Sequence, residues 1–319
     1  PCGNAAASMT ARIPATLTMM AMQANQTRVA PTVRAMITRT AEAAVVLSSM
    51  SGKDCMQTEP VCFIPDEHFL FKRPIGSNQN ASVDHSYRYG STQHGQREPH
   101  HGVEFPNAQG TPVLAAADGL VVFAGDDKKA VLSWVPNFYG NVVVIAHTLP
   151  GLDQTVYSLY GHLYQINVKM GQQVSVGDQI GQVGATGAAI GSHLHFEIRS
   201  VKNDYRSNRN PELWLAPLPG KGVLTGRIQD SQGKLIDGLI NVQRVENGVL
   251  LPQPVTALET YVSQENQPVN GDDIWQENFA AGELPAGDYR LTLYFHAAIH
   301  ELMVKIEPGR LTFVRFVIK

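Results

Sequence analysis

At 319 residues with 43% apolar side chains, the chain is too long for one ordinary compact domain and too apolar to be disordered throughout, so two folded units with appendages are expected. Its 25 Lys and Arg against 28 Asp and Glu, a net charge of -3, supply no basic field, which excludes nucleic acid as the default partner. No apolar run approaches the roughly 18 residues that a membrane-spanning helix requires, so no transmembrane helix is expected in this chain.

Residues 1–52 are a compositionally biased tail or linker, rich in Ala, Thr, Met and Ser, with Arg12, Arg28, Arg34 and Arg39 set against the single acid Glu42. The chain opens Pro1-Cys2-Gly3-Asn4 rather than with Met, so a removed leader, an export signal among the options, or a fragment is expected. Cys2 ahead of a low-complexity tether is a candidate for lipid attachment; a free thiol in a disordered tail is the alternative. Residues 53–68 form a short cysteine-containing connector. Within it "CMQTEPVC" places Cys55 and Cys62 where they can close a small loop as a disulfide if the protein is exported.

From residue 69 to 215 the texture changes to short β-type runs separated by Gly, Pro and Asn: "FLFKRPI", "GTPVLAAADGLVVFAG", "NVVVIAHT", "TVYSLYGHL", "QQVSVGDQIGQVG" and "HLHFEIR". Turn signals this closely spaced predict an all-β domain. The Pro-rich "NRNPELWLAPLPGKG" contains the linker, residues 216–221. Residues 222–319 alternate apolar and polar positions in about seven short runs, which predicts a β-sandwich.

The first β domain is dense in histidine: "EPHHGVEF" holds His100, His101 and Glu104, "LYGHL" holds His162, and "SHLHFE" holds His193 and His195. In a strand, residues i and i+2 share a face about 6.6 Å apart. His193 and His195 then project together while Leu194 and Phe196 face the core. His100 and Glu104 would lie about 13 Å apart if extended, so sharing an ion needs a bend, and Gly102 sits where one can form. Two imidazoles and a carboxylate with a vacant position form the open arrangement of catalytic zinc, and such an ion acidifies water and polarises a carbonyl, which suits amide hydrolysis. His68, His85, His94, His147, His296 and His300 read as structural, and Tyr289, Tyr294 and Trp275 as core.

The ordered segments "HHGVEFPNAQGTPVLAAADGLV", "VYSLYGHL", "GQQVSVGDQIGQVGATG" and "GSHLHFEIR" resemble the lysostaphin/LytM-type zinc metalloendopeptidases, which cleave peptide bonds in bacterial peptidoglycan. The resemblance implies a mainly β protein with a barrel-like duplicated hybrid-motif peptidase domain over residues 69–215. It also implies one Zn2+ held by His100, Glu104 and His195, with His162 and His193 flanking the activated water as acid, base or oxyanion stabiliser. "GATGAAIGS" would form a wall of the substrate groove, with Gly187, Gly191 and Ser192 as substrate-binding positions. The implied partner is bacterial peptidoglycan peptide and the implied location extracytoplasmic, in the cell envelope or secreted, with a lipid anchor if Cys2 is modified. One departure stands out: the family carries Asp where this chain has Glu104, and the extra methylene shifts the carboxylate by more than an ångström. Relatives with degraded sites bind wall peptides or activate other wall hydrolases, which is the alternative function; His101 would be a substitute ligand if Glu104 reached poorly. The runs "GRIQDSQGKLIDGLINV" and "LPAGDYRLTL" resemble carboxypeptidase-regulatory-like, transthyretin-type sandwich modules, which implies a spacer or a wall- or partner-binding role for residues 222–319.

Overall fold

The structure, a computed structural model, describes residues 52–64, 69–130, 132–261 and 267–319. Cys2, His68 and all of the expected tail, residues 1–52, except Gly52 lie outside the described residues. The described chain is almost entirely β, as the alternation of its sequence demands, with one α-helix, α1 (Gly52–Thr58).

Two sheets build the histidine-rich domain. The seven-stranded sheet runs in the order β11 (Asn208–Arg209), β10 (His193–Ser200), β6 (Val156–Gly161), β5 (Asn141–His147), β4 (Gly119–Asp126) and β8 (Gln173–Val174), with β2 (Val103–Pro106) also paired to β10. A three-stranded sheet orders β3 (Pro112–Leu114), β9 (Gln179–Gln182) and β7 (Gln165–Ile166). Strand β10 follows the predicted period of two. Leu194, Phe196 and Ile198 are fully buried in the apolar core with Phe105 and Tyr160, while His193, His195, Glu197 and Arg199 occupy the opposite face. Burying those apolar side chains is worth about 1.5–3 kcal/mol each, which locks the register. A slip of one residue would turn the histidines into the core.

The run "FLFKRPI" does not become a strand. Phe71 makes only an isolated bridge to Leu215; Phe71 N donates to the Trp214 carbonyl and accepts through its own carbonyl from Ala216 N. Pro74 has no amide hydrogen to extend a ladder, and the segment is held by burial of Phe71 against Trp214 and His147 instead.

Starting at the last residue of the expected linker, 216–221, β12 (Lys221–Asp230) joins β16 (Phe279–Pro285), β19 (Leu311–Ile318) and β1 (Val61–Ile64) in a four-stranded sheet of order β1-β19-β12-β16. A five-stranded sheet contains β13 (Leu239–Glu246), β14 (Val249–Leu250), β15 (Thr256–Glu259), β17 (Gly287–Phe295) and β18 (Ala298–Ile306). Both contribute to one apolar cluster, with Leu224, Phe279 and Phe316 from one sheet and Ile240, Leu291 and Val304 from the other. The connector therefore does more than connect: β1 adds an antiparallel edge to β19. Cys55 and Cys62 are joined in a disulfide that ties α1 to that edge. Tyr289 and Trp275 are core as expected, but Tyr294 is 58% exposed, because alternation along β17 points it away from the cluster that holds Tyr289, Leu291 and Leu293.

Candidate metal centre

Strand β10 lies between β2 and β6, and the register decides which side chains meet. His195 is the direct cross-strand partner of Glu104 on β2 and of Gly161 on β6. Direct neighbours on antiparallel strands stand about 4.5–5.5 Å apart. Glu104 is thereby placed on one flank of His195, and His162, which follows Gly161, on the other.

His100 reaches the same point from the loop before β2. Its Nδ1–H donates to the Tyr87 carbonyl at 2.8 Å, which leaves Nε2 aimed at Glu104 Oε1, 2.9 Å away, and at His195 Nδ1, 3.4 Å away. The Tyr87 ring stacks on the imidazole at 4.1 Å between centroids. Gly102 is needed for close approach: a Cβ there would sit 2.4 Å from the Phe196 carbonyl oxygen and 2.9 Å from the His195 ring. Its backbone is not left-handed, so the bend expected at this position owes nothing to a positive φ.

The Glu104 carboxylate is the hub. Oε1 lies 3.0 Å from His195 Nδ1, and Oε2 lies 2.9 Å from His193 Nε2. The longer acid thus reaches the histidines. Burial alone would raise its pKa, but the His195 charge and hydrogen bonds from His100, His193 and His195 outweigh it and hold the carboxyl well below its ordinary range. Nitrogens of His100 and His195 and an oxygen of Glu104 all fall within 4.8 Å of one another, the spacing and chemistry of a three-ligand site for a divalent cation.

His195 is flanked by carboxylates on both nitrogens. Nε2 lies 3.0 Å from Glu197 Oε1, and although burial opposes its charge, Glu104 and Glu197 push its pKa up to about 10. Glu197 is itself fully buried and held strongly acidic against burial by the Arg199 charge and by hydrogen bonds from His195 and Tyr139. Arg199 Nε donates to Glu197 Oε2 at 2.8 Å, and its other nitrogens donate to Asn203, the Leu132 carbonyl and Tyr139. Charges thus alternate from Arg199 through Glu197 and His195 to Glu104. A cation taking the place of the proton at His195 Nδ1 would leave the Nε2–H donating to Glu197, the carboxylate–histidine arrangement that orients a ligating imidazole.

His162 adopts φ 61, a conformation rarely taken by a residue with a side chain. Its Nδ1–H donates to the Thr186 carbonyl at 2.8 Å, leaving Nε2 as the free lone pair. Burial first, then the nearby His195 charge, lower its pKa to about 4. The His162 and His193 rings stand 4.9 Å apart, so both border the carboxylate hub. His101 has turned away: its Nδ1 is 2.7 Å from the Tyr205 hydroxyl, and it is not part of the ligand cluster.

These side chains sit at the floor of a cleft of about 410 Å³, with Tyr87, Arg97, Trp134, Phe138 and Ile190 on its walls. Gly191 and Ser192 line it. Gly187 does not; a Cβ there would meet Gly140 N at 2.4 Å and Phe138 O at 2.5 Å, so it packs behind the wall. Sequence reasoning missed Glu197 and Arg199, although the i+2 rule that paired His193 with His195 leads straight to them.

Residues 98–209 match the model of peptidase family M23. The chain is 45% identical over 105 residues to the cell division protein DipM of Caulobacter vibrioides, covering 33% of this chain and 15% of that protein. It is 41% identical over 100 residues to the peptidoglycan DD-endopeptidase ShyA of Vibrio cholerae, covering 31% and 20%. The chain spans a fifth or less of the length of these two curated relatives. Among solved structures, the catalytic domain of lysostaphin from Staphylococcus simulans shares 31% identity, covering 35% of this chain and 76% of that one, at a TM-score of 0.31. Residues 98–209, which hold His100, Glu104, His162, His193, His195 and Glu197, are a peptidase family M23 domain.

Proposed function

We propose that this domain is a zinc-dependent endopeptidase that hydrolyses peptide bonds in the stem or cross-link peptides of bacterial peptidoglycan. The observation that carries the reading is the convergence of His100, Glu104 and His195 within 4.8 Å beside two further histidines in an open cleft. These three residues would hold a single Zn2+. When bound, such an ion makes water more acidic and polarises a carbonyl.

The remaining roles follow from how each side chain is held. His162, with Nδ1–H fixed on the Thr186 carbonyl, presents Nε2 to take a proton from the attacking water and return it to the leaving amine. His193 Nδ1 lies 3.2 Å from the Gly191 carbonyl, and its Nε2 side faces the floor of the cleft, where it would stabilise the oxyanion. Gly191, exposed and with a positive φ, and Ser192 would let an extended peptide approach the wall. A role in the bacterial envelope implies an extracytoplasmic location, consistent with the Cys55–Cys62 disulfide. Lipid attachment at Cys2 belongs to the same proposal, as does a transthyretin-type sandwich for residues 222–319.

This reading is preferred to a degraded relative that only binds wall peptides, because the one departure from the family pattern, Glu104, brings its carboxylate to the histidines. The test is digestion of purified peptidoglycan by zinc-loaded protein, with mass spectrometry of the soluble products. New amino termini should appear, and His162→Ala should lower their rate by about 10²-fold or more while still binding one zinc. Zinc binding without any bond cleavage would overturn the catalytic reading in favour of the binding one.

A further inference from the structure

The loop that carries His100 is fastened to the C-terminal unit along most of its length. Before Glu104 is reached, the chain from Val83 to His100 lies outside any strand, so its shape must come from other contacts. At its start, Glu283 on β16 accepts from Val83 N at 3.1 Å and pairs with Arg73 and with His85, 2.9 Å away. In the middle, Tyr261 packs edge-on against Tyr89 at 5.1 Å. Gly90 lies so close to Tyr261 that a Cβ would fall 2.3 Å from the tyrosine Cβ, and its φ is +76.

The tightest fastening is Glu259, the last residue of β15. Its Oε2 accepts from Ser91 Oγ and Thr92 N, each at 3.0 Å, and its Oε1 accepts from His94 N at 2.7 Å, with His94 Nδ1 also 2.7 Å away. The clamped residues are those that hold the His100 backbone: Gly90 N donates to the His100 carbonyl at 2.7 Å, and His100 N donates to the Ser91 carbonyl at 3.1 Å. One carboxylate from the C-terminal unit therefore sits two hydrogen bonds from the backbone of a residue in the metal-ligand cluster. It is an anion that collects two backbone N–H groups, a hydroxyl and an imidazole, an arrangement stronger than neutral pairs.

We infer that the C-terminal unit is a positioning element of the metal centre, with Glu259 as its principal positioning residue, and not a detachable spacer. Glu259 touches neither the cleft floor nor the ligand atoms; it acts through Ser91 and Gly90 on the orientation of His100. Its effect on metal binding rests on the peptidase reading above, whereas the ordering of the loop does not.

The test uses the full chain carrying Glu259→Ala, Glu259→Gln or, as a control on an exposed part of the same sheet, Glu301→Ala. Hydrogen–deuterium exchange of the metal-free proteins reads the amides of residues 88–101, and competition with a chromophoric chelator reads zinc affinity. Glu259→Ala should speed exchange at Gly90 and His100 about tenfold or more and weaken zinc about tenfold, with amides of β12, β17 and β19 unchanged. Glu259→Gln, which keeps an acceptor oxygen, should recover part of both losses, and Glu301→Ala should change neither. Exchange over residues 88–101 within twofold of the parent, or a rise spread evenly over residues 222–319, would overturn the inference. If Glu259→Ala fails to fold, the same criteria apply to Glu259→Gln. If the parent protein takes up no zinc, the peptidase reading fails, and the exchange measurement still decides the clamp.

Discussion

Replacing Glu197 with Gln tests the buried charge chain behind the candidate metal centre. Glu197 and Arg199 are each fully buried, and Glu197 gathers His195 Nε2 at 3.0 Å, Arg199 Nε at 2.8 Å and the Tyr139 hydroxyl. Removing one charge of a buried pair costs about 3–5 kcal/mol, because the other is left without a counter-charge. Arg199 would keep the Leu132 carbonyl and Asn203 Oδ1, both at 3.0 Å, so the lower end applies, about 3 kcal/mol. His195 would also lose the carboxylate that fixes its ring, which lowers metal affinity by about 10- to 100-fold. Urea denaturation of the metal-free protein reads the first effect and chelator competition the second. A stability loss below about 1 kcal/mol with unaltered zinc affinity would refute the reasoning, since Glu197 would then contribute no more than an exposed ion pair.

Three further outcomes are expected. Glu104→Asp, although it restores the residue common in the family, should weaken zinc binding and lower activity by about 10²-fold. The carboxylate would retreat by about 1.5 Å from contacts of 2.9, 3.0 and 2.9 Å to His100, His195 and His193; equal or tighter zinc binding by chelator competition would contradict this. Gly102→Ala should destabilise the domain by about 1–3 kcal/mol in urea denaturation and lower zinc affinity together, because its Cβ meets both Phe196 O and the His195 ring. For pH dependence, burial lowers the His147 pKa to about 4, below its unfolded value of 6.5. The unfolded chain therefore takes up the proton first. The stabilisation from neutral His147 is complete above about pH 6.5, falls by about 3 kcal/mol as pH drops, and levels off below about pH 4. The urea midpoint of His147→Asn should show less of this decline between pH 7 and pH 4.5 than the parent protein.

How much could be read in advance depended on sequence separation. The alternation of "HLHFEIR" placed His193 and His195 on one face because period two is a local property of a strand, and carrying that period four residues further would have reached Glu197 and Arg199. The rescue of the long acid at position 104 could not be read, since it depends on β10 pairing with β2 across some ninety residues, with His195 opposite Glu104. The apolar run at Phe69–Ile75 looked like a strand but had no neighbour able to pair along its length. Glycines were legible as a class and not in role: Gly191 lines the cleft, whereas Gly187 and Gly102 are small because backbone from a distant segment passes within contact distance. The dependence of the His100 loop on Glu259, Tyr261 and Glu283 was the least legible feature, because nothing in residues 83–100 announces partners more than 150 residues away.

The most direct test of the central claim is a zinc titration of chelator-stripped protein while amine release from purified peptidoglycan is followed. Release should be absent without metal, rise in proportion to added zinc and saturate at one equivalent, with no recovery in His195→Ala. Release that persists under chelation, or saturable uptake of one zinc with no release, would contradict that claim.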